Sequence, residues 1–109
     1  MKIQIVGILG LFVLSSCGQS KKETANAADC DSTLTYDSSI KTIVNTNCIG
    51  CHGAGSSNGN YSTLASLQAD KAEVYSEVAS GSMPKGNSAF KDSADGRSLR
   101  AWLSCSTLK

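Results

Sequence analysis

One pentapeptide, Cys48-Ile49-Gly50-Cys51-His52, constrains this 109-residue chain more than any other feature of it. Two thiols three positions apart fall on one helical turn, with an imidazole directly after the second. This CxxCH spacing is that of c-type haem attachment: each thiol can form a thioether to a haem vinyl carbon while the adjacent histidine reaches the iron from one face. Gly50 and Gly53 flank the pair, as suits a chain passing close against a flat macrocycle. CxxC also serves zinc sites and redox disulfides. Zinc needs four donors. Cys30, Cys48, Cys51, His52 and Cys105 could supply them, although Cys30 and Cys105 stand at opposite ends with no paired spacing. A thioredoxin-like motif expects a βαβ setting, and no alternating strand pattern occurs here.

The rest of the chain has room for one small domain. Lys2 is followed by an apolar run, residues 3–14, which is short for a membrane span and reads as a secretory signal. Its end, Leu14-Ser15-Ser16-Cys17, resembles the lipobox of bacterial lipoproteins, which implies a lipidated Cys17 as the mature N-terminus after removal of residues 1–16. A plain signal peptide ending near a cysteine is the alternative. Residues 18–29 hold no aliphatic side chain larger than alanine and read as a tether. Without residues 1–16 the chain has nine basic and nine acidic side chains, a balance that argues against nucleic acid as a partner and leaves a lipid on Cys17 as the membrane attachment. Export places the other cysteines in an oxidising compartment.

From Cys30 onward the apolar spacing is helical throughout. Ile40, Ile43 and Val44, behind Asp37-Ser38-Ser39, predict a helix over 38–46; residues 53–60, almost wholly Gly, Ser, Ala and Asn, predict a loop. A short helical turn over 62–67 and a helix over 70–79 follow from Leu64 with Leu67 and Val74 with Val78, with Gly81 as the stop. Leu99, Trp102 and Leu103 predict a last helix over 94–105, with Asp92 and Asp95 as caps.

His52 is the only histidine, so a second protein ligand to iron falls to Met83. Ser82-Met83-Pro84 resembles the ligand loop of class I c-type cytochromes, in which proline restrains the loop and holds the sulfur toward iron. Core filling is the other role open to Met83. The resemblance to a class I cytochrome c domain extends over nearly all of residues 30–109: a helix leading into CxxCH, a middle helix, a methionine loop and a C-terminal helix bearing an aromatic residue, here Trp102. It implies an all-α, cytochrome c-like fold of about four short helices around one covalently bound haem c. Ile40 and Val44 would pack on Leu99, Trp102 and Leu103, and Leu64, Leu67, Val74 and Val78 would line the haem edge. The polar tips of Tyr61 and Trp102 would be within reach of a propionate. With that helix crossing, the leftover pair Cys30 and Cys105 reads as a disulfide, two unpaired thiols being the alternative.

Apart from this site the sequence shows no nucleophile beside a base and no paired carboxylates, so no enzyme chemistry is expected. The expected function is one-electron transfer by a monomeric, lipid-anchored cell-envelope protein with His52 and Met83 as axial ligands and redox proteins as partners. Lys85 and Lys91 beside the methionine loop could guide an acidic partner, or be ordinary solvated surface. A haem-based gas-binding or sensor module with an open sixth position and a zinc-stabilised lipoprotein domain are the alternatives.

Overall fold

The structure, a computed structural model, describes residues 24–109. The expected signal segment, the lipidation site Cys17 and the first part of the tether lie outside the described residues. Five α-helices occur among those described: α1 (Lys41–Asn47), α2 (Ile49–His52), α3 (Leu64–Ala69), α4 (Lys71–Ser80) and α5 (Ala94–Leu103). No strand occurs among the described residues, so the chain is all-α there, as expected.

Local chemistry sets the helix ends. Thr35 accepts from the Ser38 N–H and opens a π-helical turn over Tyr36–Ile40, which runs into α1. Thr63 and Ser66 form a reciprocal capping box on α3. α4 stops at Gly81, whose φ of 81° is a left-handed conformation open mainly to glycine. At α5 the expectation is corrected. Ser93, not Asp92 or Asp95, is the cap, its Oγ accepting from the Gly96 N–H at 3.0 Å. Asp95 instead sits in the first turn, where its charge meets the positive end of the helix dipole.

The apolar faces of these helices make one core in which Ile40, Val44, Leu67, Leu99, Trp102 and Leu103 are almost wholly buried. Burial of such side chains contributes roughly 1.5–3 kcal/mol each. α5 packs on α4, on the turn Ser88–Asp92 and on the turn Tyr36–Ile40. Tyr36 meets Trp102 there, ring centroids 6.4 Å apart. Gly96 makes the approach to the Ser88–Asp92 turn possible: a Cβ at this position would lie 1.9 Å from the Phe90 carbonyl oxygen.

The ends are fastened to this body. Cys30 and Cys105 form a disulfide with their Cα atoms 4.7 Å apart, in agreement with the expected pairing. Lys71 Nζ donates to the Cys105 and Ser106 carbonyls at 2.6 and 2.8 Å, and the Leu108 N–H donates to Gln68 Oε1 at 2.9 Å. The body begins slightly before Cys30: Ala25 packs against the core and Asn26 caps a short turn over Ala27–Asp29.

Candidate functional site

The CxxCH segment leaves α1 at a kink. Cys48 has φ of −120° and caps α1 by donating its N–H to the Val44 carbonyl, and α2 then carries Cys51 and His52. The Cys51 and His52 N–H groups both donate to the Cys48 carbonyl, at 3.2 and 2.9 Å, so the two thiols stand on a single wound turn. Both are free of disulfides, Cys48 partly buried and Cys51 exposed. Burial pushes the Cys48 thiol up to about 11, because the thiolate would lose its hydration.

The loop after His52 returns to it. The Tyr61 N–H donates to the His52 carbonyl at 2.8 Å, and His52 Nδ1 lies 3.2 Å from the Gly59 carbonyl oxygen. A carbonyl can only accept, so Nδ1 is the donor, and in the neutral imidazole this leaves the lone pair on Nε2, the tautomer a metal ligand needs. Tyr61 also lays its ring beside the imidazole, centroids 4.8 Å apart and planes tilted by 32°. Gly59 has φ of 96°, a left-handed conformation that favours glycine, and a Cβ there would press on the Tyr61 hydroxyl at 3.1 Å.

These residues open onto a cleft of about 630 Å³. Its lining includes Cys48, Cys51, His52 and Tyr61 from one side of the chain and Met83 with Pro84 from the loop after α4. The volume falls within the roughly 300–1,000 Å³ of small-molecule and cofactor sites. Two free thiols on one turn, an imidazole with an available Nε2 and a thioether from a distant loop form a donor set that fits a covalently held haem. Zinc fits less well. The disulfide takes Cys30 and Cys105 out of the donor list, and among the described residues no group of three or more His, Cys, Asp or Glu side chains is gathered for a metal ion.

Several expectations for the surroundings change. Val74 lines the cleft, but Leu67 and Val78 are turned into the core and Leu64 packs against it. Trp102 is only 1% exposed and lines a separate cavity of about 190 Å³ beside the disulfide, with its Nε1 buried and without a hydrogen-bond partner. Tyr61 does line the cleft. Lys85 borders it and Lys91 does not; Glu73 and Glu77 of α4 do, which the sequence reading missed. The two acids have the four-residue spacing of Val74 and Val78, one position earlier, so the pattern alone does not distinguish which stripe of α4 turns to the cleft. Burial and the charges of Asp70, Glu73 and Glu77 together raise the Tyr61 phenol above its ordinary value.

Among the described residues no helix is long and apolar enough to cross a membrane. Comparison with protein-family models, with curated proteins and with solved structures finds no match.

Proposed function

We propose that this chain is a monohaem c-type cytochrome that transfers single electrons while held to a membrane through a lipid on Cys17. The observation that carries the reading is that Met83, far from the CxxCH turn in sequence, lines the same cleft as Cys48, Cys51 and His52.

Cys48 and Cys51 would hold the haem by thioethers, and His52 Nε2 and Met83 Sδ would be the protein's donors to its iron. A haem bound there supplies a one-electron ferrous/ferric couple. The protein's own part is to keep the ligands in place. His52 is fixed by the Gly59 carbonyl and the Tyr61 ring, while Met83 is tied back to α4 by its N–H, which donates to the Glu77 carbonyl at 3.1 Å. A thioether ligand favours the reduced iron and raises the potential relative to two nitrogen ligands. Ligands held equally well in both oxidation states keep reorganisation small, and the charged cleft rim of Glu73, Glu77 and Lys85 is where a redox partner would dock.

The test is the visible spectrum, oxidised and reduced, of the full chain exported by a host able to attach haem c. A low-spin reduced spectrum with the weak ferric band of an iron–sulfur bond supports the reading, and Met83→Ala should abolish that band while leaving the haem attached. A high-spin spectrum with rapid carbon monoxide binding would replace it with a ligand-binding module. A chain without haem but with stoichiometric zinc would discard both.

A further inference from the structure

We infer that Tyr61 is a positioning residue for His52, its ring face setting the rotation of the imidazole in the cleft. This rests on the proposed haem site and names a residue that the CxxCH motif does not contain.

An imidazole on a helical turn keeps two torsions, and the turn itself fixes neither. In this chain three contacts converge on the ring and its residue. The Gly59 carbonyl at 3.2 Å from Nδ1 fixes one point of the ring and allows it to swing about that point. The second contact is main-chain: the Tyr61 N–H holds the His52 carbonyl at 2.8 Å, closing the loop 53–60 into a strap with both ends at His52. The third is the Tyr61 ring, its centroid 4.8 Å from that of the imidazole and its plane inclined at 32°, close enough to restrict the swing. Offset aromatic pairs at this separation are attractive beyond the area that they bury. Gly59 leaves room for the Tyr61 ring, since a Cβ there would come within 3.1 Å of its hydroxyl. The phenol need not ionise or donate for this role; only its flat face is used.

The plane of an axial imidazole governs its overlap with the iron d orbitals, so a freed ring changes the electronic ground state of ferric iron without any change of ligand. The backbone bond of residue 61 survives substitution, which lets the ring be removed on its own.

The experiment is ferric electron paramagnetic resonance and redox titration of the haem-loaded full chain and of Tyr61→Phe and Tyr61→Leu. The account expects Tyr61→Phe to keep the parent g-values and potential. Tyr61→Leu should keep covalent haem and both axial ligands, yet show displaced, broadened g-values and a shifted potential. Loss of melting temperature in Tyr61→Leu with unchanged g-values and potential would overturn the inference, since a merely structural ring moves only the first. An equal change in Tyr61→Phe would also overturn it, by assigning the effect to the hydroxyl. Should Tyr61→Leu fail to fold, proton Overhauser contacts between the His52 and Tyr61 rings in the reduced parent decide: their presence upholds the contact and their absence overturns it. A parent chain without haem is a failure of the functional reading and is recognised before any variant is made.

Discussion

Replacing Gly96 by alanine should destabilise the chain, although alanine is the better helix former by about 1 kcal/mol. Gly96 is buried in the first turn of α5, where a Cβ would sit 1.9 Å from the Phe90 oxygen, 2.8 Å from the Phe90 carbonyl carbon and 3.0 Å from the Lys91 Cα. All three are backbone atoms, so no flexible side chain can swing aside. Restoring ordinary contact requires the turn and α5 to part by about 1.5 Å, starting from that 1.9 Å approach. The same Phe90 oxygen accepts from the Ser93 hydroxyl at 2.6 Å, so parting the two elements also disturbs the α5 cap. Overpacking of about 1–3 kcal/mol plus about 1 kcal/mol for the cap, less the propensity gain of about 1 kcal/mol, leaves a net loss of about 1–3 kcal/mol. In a domain this size that lowers the melting temperature by about 5–20 °C. Gly50→Ala, compared in the haem-free chain, is the internal control: no protein atom lies within 4 Å of its Cβ and its φ is not positive, so it should stabilise by about 0.5–1 kcal/mol. Thermal unfolding of the exported chain in detergent, followed by circular dichroism, measures both. A Gly96→Ala protein melting at or above the parent would refute the proposed packing of α5.

Cys30→Ser with Cys105→Ser opens a loop spanning 75 positions, which in the chain-entropy model costs about 4–5 kcal/mol, and urea unfolding should show a loss of that order. The Cys48 thiol gives a pH dependence. Its folded value near 11 lies above the roughly 8.5 of an unfolded thiol, so the haem-free chain keeps this contribution below about pH 8.5 and loses it as pH rises toward 11. Denaturant midpoints from pH 8 to 11 should fall for the haem-free chain more than for Cys48→Ala, and the haem-loaded chain, whose thioether has no proton, should lack the difference. Alkylation of the haem-free chain near neutral pH should label the exposed Cys51 well before Cys48, as peptide mapping would show.

The fold was legible where one physical signal acted alone. Ile40, Ile43 and Val44 mark a helix by spacing, Gly81 marks the stop of α4 by conformational freedom, and the pair Cys30 and Cys105 follows from the expected export and an even leftover count. Where several residues compete for one role, local chemistry leaves the choice to tertiary packing. Asp92, Ser93 and Asp95 are all good caps, and the position of the turn over Ser88–Asp92 selects Ser93. Val74 and Val78 share one spacing, yet only the first lines the cleft, while Val78 is buried in the core. The four proposed donors were readable, Cys48, Cys51 and His52 from their spacing and Met83 from the scarcity of thioethers. The Gly59 carbonyl and the Tyr61 ring were not readable as a support for His52, since a backbone acceptor has no signature in sequence and a lone tyrosine in a polar loop has many uses.

The central claim is that the CxxCH turn carries haem by covalent bonds. The most direct measurement is the intact mass of the full chain, and of its Cys48→Ser, Cys51→Ser double variant, after export by a haem c-attaching host and full denaturation. The account predicts one haem retained on the parent with no thiol left at either position, and none on the double variant. A denatured parent of unmodified polypeptide mass at the CxxCH segment, or equal haem on both proteins, would contradict it.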